Sequence, residues 1–223
     1  YTKTMKTHKI YNTVAGENTY LLESETGLLV IDPGSDWSKI EKRIKDLDKP
    51  VLAILLTHTH YDHILSVEAV RKHFNQPPLY VSEKEASWLQ SPVDNLSGLP
   101  RHDDMDDVIV APAEHIFELR KHYVIGDFNF TVVPTPGHSW GSVSFIFTEE
   151  EAIFSGDALF KETIGRTDLP TGNFDDLISG IRQELFTQPN HFTVHPGHGQ
   201  STTIAHEKNV NPYFQWEALR KFS

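Results

Sequence analysis

The sequence predicts an α/β domain in which two mixed β-sheets pack face to face between outer helices. Short apolar segments bounded by turn residues recur in both halves of the chain, as expected for two sheets. Segments with helical spacing of apolar residues stand between and after these strands, as expected for outer helical layers. At 223 residues the chain is long enough for one such domain, residues 1–223, and too short for two ordinary ones.

The first half of the chain supplies the first predicted sheet and its helices. Residues 51–56 are all apolar, which indicates a strand buried on both faces. In the preceding helix, Ile40 and Ile44 recur at helical spacing, and Ser35 or Asp36 is the candidate cap. The predicted strands are 6–11, 19–23, 28–31, 51–56 and 79–81, and the predicted helices are 36–47, 65–74 and 82–89.

The second half supplies the second predicted sheet. Its strands are 128–133, 143–148, 152–154 and 192–194, and its helices are 173–186 and 212–222. Asn173 is the predicted cap of the first of these helices. Asp175 and Asp176 follow in its first turn, where the helix dipole favours negative charge.

Residues 91–113 do not fit a regular element. The segment contains several prolines and an acidic run, and a loop of this length in a compact domain is usually functional or disordered. Two interpretations stay open: a solvated acidic excursion, and a lid or subunit contact anchored by Trp88, Val93, Leu96 and Leu99. A further metal site at His102 and its acidic neighbours is disfavoured, since aspartate runs are usually solvated surface.

The most informative motif is His58-x-His60-x-Asp62-His63, which directly follows the apolar strand at 51–56. Period-two alternation places His58 and His60 on the same side of the chain, and the following turn brings Asp62 and His63 to the other side. Four metal-binding side chains within six residues are hard to explain as packing. We therefore predict a metal site, and one with two metals.

Three further turns after apolar strands carry a histidine or carboxylate. His138 follows the strand at 128–133, Asp157 follows 152–155, and His198 follows 192–194. A glycine immediately precedes each of them, which suits a sharp turn that brings a side chain close to a metal. Imidazole and carboxylate donors suit zinc, iron or manganese, and a chain without cysteine has no thiolate ligand.

The order of these motifs resembles the metallo-β-lactamase superfamily. HxHxDH at 58–63 is followed by TPGH at 135–138, SGD at 155–157 and PGHG at 196–199, so the resemblance spans most of the chain. The segments GDALF at 156–160, GRTDLP at 165–170 and 203–212 are similar to those of glyoxalase II-like hydrolases and of the related persulfide dioxygenases. The resemblance implies the metallo-β-lactamase fold, an αββα sandwich.

The resemblance also implies two ligand sets for two divalent ions, with zinc expected first and iron or manganese as alternatives. Asp62 and Asp157 are then the candidate catalytic residues, because a water or hydroxide bridges the metals beside them. Two cations about 3.5–4 Å apart lower the pKa of a shared water. The first metal would be held by His58, His60 and His138, the second by Asp62, His63 and His198, and Asp157 would bridge both.

Residues around the ligands have less certain roles. Arg166 is expected to bind an anionic substrate group or to pair with Asp168, and Tyr61 to line the pocket or pack beneath it. Asp32 and Asp168 are candidates for orienting ligand imidazoles, with turn capping as the alternative. His195 is expected to support its turn rather than bind metal.

Composition limits the kinds of partner that the protein is expected to bind. The formal charge of −11 disfavours a nucleic-acid partner, which would require a basic patch. No apolar run is long enough to cross a bilayer, and residues 1–9 lack the apolar stretch of a secretory signal. We predict a soluble, cytoplasmic protein without a membrane partner, and no feature selects an oligomeric state.

The resemblance implies hydrolysis of a small thioester or ester, for example a hydroxyacylglutathione-like substrate. Full-length glyoxalase II enzymes carry a helical C-terminal region that grips glutathione, whereas only residues 201–223 follow the last motif here, so no separate substrate domain is predicted. The main alternative is a mono-iron persulfide dioxygenase with iron on His58, His138 and Asp157. A lactonase and a noncatalytic metal-binding module are weaker alternatives.

Overall fold

Two six-stranded sheets form the centre of the protein in the computed structural model, which describes residues 5–102 and 104–215. Helices cover the outer face of each sheet. The predicted αββα arrangement of two mixed sheets is confirmed.

The first sheet has the strand order β1-β2-β3-β4-β5-β6. The pairs β1–β2 and β2–β3 are antiparallel, and the pairs β3–β4, β4–β5 and β5–β6 are parallel, so the sheet is mixed. Its strands are β1 Lys6–Tyr11, β2 Asn18–Glu23, β3 Leu28–Ile31, β4 Val51–Leu55, β5 Leu79–Ser82 and β6 His115–Phe117.

The second sheet has the order β14-β13-β10-β9-β8-β7, and only the β10–β13 pair is parallel. A separate two-stranded hairpin, β11–β12, follows β10. The strands are β7 His122–Ile125, β8 Phe128–Pro134, β9 Val143–Phe147, β10 Ala152–Gly156, β11 Leu159–Phe160, β12 Thr163–Ile164, β13 Thr193–Pro196 and β14 Thr202–Thr203.

In the described part of the chain, four α-helices lie on the outside of the sandwich: α1 Trp37–Leu47, α2 Val67–His73, α3 Phe174–Gly180 and α4 Ile204–Val210. Helices α1 and α2 pack Ile40, Ile44 and Val70 on the first sheet. On the second sheet, α3 and α4 pack Leu177 and Ile204. No helix among the described residues is long and apolar enough to span a bilayer.

Alternation along the strands explains why they are apolar throughout. In β3, Leu28 and Val30 face the helices, while Leu29 and Ile31 face the second sheet. Between the sheets, the largest fully buried side chains are Phe128, Phe130, Phe145, Phe147 and Phe154. Burying each such side chain contributes about 1.5–3 kcal/mol. The apolar layer between the sheets is therefore a main source of stability.

Helix predictions were right about position and less accurate about type. The predicted helix at 82–89 is a run of 3₁₀ turns, Glu83–Gln90, and the one at 173–186 is α3 followed by a π-helical turn, Ile181–Leu185. Asn173 does cap α3, since its side chain accepts a hydrogen bond from the Asp176 amide.

Asp36 precedes α1 as predicted but does not cap it with its side chain. Its carboxylate instead accepts hydrogen bonds from the Thr13 amide and from the Thr13 and Ser35 hydroxyls. A tertiary partner has taken the place of the helix amides here.

The C-terminal part of the chain departs from the prediction. The helix expected at 212–222 begins as a 3₁₀ turn, Pro212–Phe214, and its residues from 216 onward lie outside the described part of the chain. Helix α4 and the strands β6, β7, β11, β12 and β14 were not predicted. The five strands are two to four residues long, which is too short for a clear alternation to show.

The ends of four strands meet at one edge of the sandwich. Strand β4 of the first sheet leads into His58, and β8, β10 and β13 of the second sheet lead into His138, Asp157 and His198. Each of these side chains therefore follows the carboxyl end of its strand.

Candidate metal centre

The HxHxDH segment leaves β4 and forms a 3₁₀ turn at Tyr61–His63, with its histidines and aspartate buried. This turn, together with the three other turns, gathers all seven predicted ligands. Their ligand atoms form two groups, within each of which the atoms lie within 4.8 Å of one another. The first group contains His58, His60 and His138, and the second contains Asp62, His63, Asp157 and His198.

The Asp157 carboxylate lies between the two groups. Its Oδ2 is 3.6 Å from His58 Nε2 and 3.3 Å from His138 Nε2, both in the first group. The same oxygen is 3.1 Å from His198 Nε2, and Oδ1 is 3.2 Å from His63 Nε2. A side chain in this position can contribute to both groups at once.

Hydrogen bonds at the back of the rings aim four imidazoles at the centre. When Nδ1 is engaged by a partner, Nε2 is the nitrogen presented to a metal. The Nδ1 contacts are His58 with Thr57 Oγ1 (3.0 Å), His63 with Asp32 Oδ2 (2.9 Å), His138 with the Arg166 carbonyl (2.9 Å) and His198 with the Ala15 carbonyl (3.1 Å).

Asp32 is the carboxylate behind this centre. Its Oδ1 accepts a hydrogen bond from the Thr57 amide at 2.8 Å. Its Oδ2 accepts from the Thr57 hydroxyl at 2.5 Å and faces His63 Nδ1 at 2.9 Å. Asp32 therefore holds the ring of His63, a predicted ligand, which agrees with one of the two roles predicted for it.

Buried nitrogen and oxygen atoms without a hydrogen-bond partner indicate whether this site suits metal ions. Among the described residues, His58 Nε2, His63 Nε2 and Asp157 Oδ1 are buried and make no hydrogen bond, while His60 faces His138 Nε2 with its Nδ1 at 3.1 Å. Buried polar atoms are nearly always satisfied, and several orphans converging on one volume call for a ligand. Nitrogen and carboxylate oxygen are the donors that zinc, iron and manganese accept. The residues therefore fit two divalent metal ions.

Electrostatics differ between the two groups. In the first, burial lowers the pKa of His138 to about 4 and, with neighbouring imidazoles, holds that of His60 well below its usual value. These rings are neutral and ready to bind a cation. In the second, burial opposes ionisation, yet the Asp157 carboxylate and its neighbours raise the pKa of His198 to about 10 and that of His63 well above normal.

The carboxylates of the second group shift the other way. Burial raises the pKa of Asp62 and Asp157, but the neighbouring histidine charges more than offset this and hold both values below the usual range. In the absence of a cation, protons on His63 and His198 balance the two carboxylates. A metal ion must displace those protons to bind.

Arg166 and Tyr61, the two predicted substrate-binding residues, have different partners. The Arg166 guanidinium is half exposed and binds both oxygens of Asp168, at 2.6 and 2.8 Å. Asp168 is mostly exposed, so it holds this arginine instead of orienting a buried imidazole. Tyr61 is half-buried, packs edge-on against His102 and lines a cavity of about 700 Å³ beside the 91–113 loop.

His195 stays outside both groups. Its ring stacks on Phe154, with centroids 5.0 Å apart, and Nδ1 contacts the Ser201 hydroxyl at 2.8 Å. Burial lowers the pKa of His195 to about 4, so the ring is neutral. This placement agrees with the predicted supporting role.

The 91–113 loop is partly packed against the site. Leu96 and Asn95 are buried, and the Asn95 carbonyl accepts a hydrogen bond from the Tyr61 amide at 2.9 Å. Of the predicted apolar anchors, Trp88 and Leu96 are buried, whereas Val93 is 77% exposed. A fully solvated excursion is therefore wrong for the segment around Asn95.

Two buried residues contact the centre in a way that was not predicted, although Trp88 was expected to anchor the 91–113 loop. Glu85 makes hydrogen bonds to both the 58–63 segment and the turn around His138, and the Trp88 ring stacks on His60 with centroids 6.1 Å apart. Both lie in the 3₁₀ segment Glu83–Gln90. Its sequence carries no ligand-like spacing, so no local signal marks them.

The fold and the paired metal-binding groups define a class of protein, and the family comparison agrees. A sequence model of the metallo-beta-lactamase superfamily matches residues 12–201. The chain belongs to this superfamily and is a metallo-hydrolase of it.

Two relatives are similar to this chain over most of its length. A probable metallo-hydrolase of Streptococcus pyogenes is 63% identical over 214 residues, covering 96% of this chain and 92% of that protein. The hydroxyacylglutathione hydrolase GloC of Haemophilus influenzae is 33% identical over 193 residues, covering 86% of this chain and 89% of that protein.

Two solved structures share the fold closely. The BLEG-1 B3 metallo-beta-lactamase has a TM-score of 0.88 and 38% identity, covering 95% of this chain and 99% of that one. TTHA1623 in a di-iron-bound form has a TM-score of 0.80 and 31% identity, covering 92% of this chain and 99% of that one.

Proposed function

We propose that this protein is a two-metal hydrolase of a small thioester or ester, with a hydroxyacylglutathione-like compound as the leading substrate class. The observation that carries the proposal is the position of Asp157, whose carboxylate faces histidines of both ligand groups at 3.1–3.6 Å. The similarity to hydroxyacylglutathione hydrolase GloC supports the substrate class.

Two divalent cations in these groups would supply Lewis acidity and lower the pKa of a water molecule held between them. The chain's own residues then position the reactants. Asp157 holds the two groups together, and Asp62, whose side chain is 10% exposed, is the carboxylate we assign to accept the proton of the attacking water.

Access to the centre is expected on the His198 side. His198 has a 25% exposed side chain and lines a cavity of about 370 Å³ with Phe160, Lys161 and Gln200. We assign Arg166 and Tyr61 to substrate binding. The Arg166 carbonyl also fixes His138, so this residue joins the substrate site to the first ligand group.

Metal content and turnover test the proposal together. Purified protein is expected to bind two divalent ions and to hydrolyse at least one member of a panel of hydroxyacyl thioesters, small esters, a lactone and a β-lactam. Asp157→Ala removes the shared ligand, so metal stoichiometry and rate should collapse together. Asp46→Ala, at an exposed position on α1, is the matched control and should change neither.

A protein that binds two metals and leaves every thioester and ester intact would contradict this substrate class. Cleavage of the β-lactam alone would favour the activity named for the BLEG-1 structure.

A mono-iron persulfide dioxygenase is the second candidate. His58, His138 and Asp157, the residues it requires, do converge, with Asp157 Oδ2 3.6 and 3.3 Å from the two imidazoles. The complete second group argues for two metals instead. One iron per chain, with oxygen uptake on addition of glutathione persulfide, would decide for the dioxygenase.

A further inference from the structure

Glu85 lies at the junction between the two sheets, on the 3₁₀ segment Glu83–Gln90. Its side chain is completely buried, and among the described residues it forms no ion pair. A buried carboxylate without a cation is costly unless hydrogen-bond donors surround it. The donors around Glu85 therefore show which parts of the chain this carboxylate holds in place.

Each oxygen of Glu85 serves one ligand-bearing segment. Oε1 accepts from the Thr59 amide at 2.8 Å and from the Thr59 hydroxyl at 3.0 Å, and Thr59 stands between His58 and His60. Oε2 accepts from the Ser139 hydroxyl and the Gly141 amide, both at 2.6 Å, just after His138. The carboxylate thus joins the histidine segment of the first sheet to that of the second.

The same 3₁₀ segment supports the first ligand group a second time. Trp88, one turn beyond Glu85, is 6% exposed and stacks on the His60 ring at an interplanar angle of 16°. By contrast, His63 and His198 of the second group are held by Asp32 and by the Ala15 carbonyl. Asp32 also reaches the first group through the Thr57 hydroxyl, which contacts His58 Nδ1 at 3.0 Å. The hydrogen bonds of Glu85, by contrast, go to Thr59, Ser139 and Gly141, beside histidines of the first group.

We propose that Glu85 is a positioning residue that sets the separation of His58 and His60 from His138 and so tunes the affinity of the first metal site. This inference rests on the proposed two-metal function. It assigns Glu85 no contact with substrate or metal.

The chemistry of the contacts explains why an amide cannot replace the carboxylate. Each oxygen accepts from one backbone amide, Thr59 on one side and Gly141 on the other. In Glu85→Gln, the side-chain NH₂ therefore faces a backbone N–H in either orientation, and neither backbone group can reverse. The volume barely changes, so the substitution isolates hydrogen bonding from packing.

Glu207 provides a matched control. It is also completely buried and forms no ion pair among the described residues, but it lies on α4, and its hydrogen bonds come from Glu162, Thr202 and Asn211, none of which adjoins a candidate ligand. Its Oε2 accepts from the Thr202 hydroxyl at 2.5 Å, and a hydroxyl can rotate to accept from an amide instead. Glu207→Gln should therefore be tolerated.

The experiment measures zinc binding to chelator-treated protein by competition with a chromophoric chelator. His60→Ala and Asp62→Ala identify which of the two binding steps belongs to which group. We expect Glu85→Gln to weaken the step lost in His60→Ala by about 10–100-fold, the usual effect of losing an orienting partner. The other step, and both steps in Glu207→Gln, should stay within about threefold, well below that effect.

Ser139→Ala removes one donor from Glu85 and should weaken the same step by a smaller factor, which decides the question if Glu85→Gln does not fold. Unchanged affinities, equal weakening of both steps, or weakening confined to the step lost in Asp62→Ala would each overturn the role of Glu85. Failure of the wild-type protein to bind two zinc ions would instead overturn the proposed function.

Discussion

Among single residues, Asp32 shows how a residue outside the predicted ligand set can fix the orientation of a predicted ligand, His63. Its carboxylate accepts from the Thr57 amide and hydroxyl and holds His63 through Nδ1. The ring can present Nε2 to a metal only while Nδ1 carries the proton that Asp32 accepts. The backbone of Asp32 has φ 51°, so the residue occupies a conformation that the surrounding contacts must maintain.

Asp32→Asn is expected to weaken the second metal site by about 10–100-fold. An amide placed opposite His63 Nδ1 would donate rather than accept, which favours the tautomer with a proton on Nε2. Chelator competition with zinc measures the loss, and Asp46→Asn on the surface of α1 is the control. Full retention of both zinc affinities would show that Asp32 only caps its turn.

The spacing of the ligands was predictable from sequence, whereas their supports were not. The motif at 58–63 is recognisable because four possible metal ligands, His58, His60, Asp62 and His63, follow one apolar strand. Glu85 and the Arg166 carbonyl act through contacts more than 25 residues away along the chain, and a main-chain carbonyl leaves no mark on sequence. Asp32 could be suggested, but only the fold selects it over Asp168.

Among the elements, α3 and the turn before His138 depend on each other. Gly137 has φ 135°, and its carbonyl accepts a hydrogen bond from the Asn173 amide at 2.8 Å. A Cβ at Gly137 would lie 2.6 Å from the Leu177 amide nitrogen and 2.7 Å from the Asn173 carbonyl oxygen. The start of α3 thus packs directly on a ligand-bearing turn.

Gly137→Ala should destabilise the protein more than Gly199→Ala does. Both glycines adjoin a ligand histidine and have positive φ, so both substitutions incur backbone strain of about 1–2 kcal/mol. Only Gly137 adds a clash, since nothing lies within 4 Å of a Cβ at Gly199. The clash should add about 1–3 kcal/mol. Urea unfolding of the two variants measures the difference, and equal losses would contradict the packing argument.

Helices and strands with local causes could be predicted from the sequence, whereas those shaped by tertiary contacts could not. Strands β1 to β5 of the first sheet and the Asn173 cap were predicted well because apolar runs and capping chemistry are local. The 3₁₀ form of Glu83–Gln90 was not, since its shape is tied to the contacts of Glu85 and Trp88 with the opposite turns. Tertiary contacts override helix propensity there.

For the whole molecule, charge balance couples metal binding to pH. Without metal, the Asp157 carboxylate and its neighbours raise the pKa of His198 to about 10 in the folded state, against burial. A raised folded-state pKa gives stability that is fully present below the unfolded value of about 6.5 and is lost as pH rises toward 10. Zinc displaces the same protons, so its stabilisation grows with pH over this window.

The melting temperature of chelator-treated protein should therefore fall between pH 6.5 and pH 9. The increase in melting temperature on adding zinc should rise across the same range. Differential scanning calorimetry at fixed free zinc concentration measures both trends. A metal-free protein whose stability rises through this interval would contradict the charge balance assigned to His198 and Asp157.

The candidate metal ligands come from turns of both sheets, which has a consequence for folding during synthesis. A ribosome has synthesised the first four candidate ligands by residue 63, but it reaches the last, His198 of 223 residues, only near the end of the chain. A cation captured early meets an incomplete coordination shell, and the nascent chain must dock its halves before either pocket closes. Metal ions are therefore expected to complete their coordination only after the two halves have docked through the phenylalanine layer.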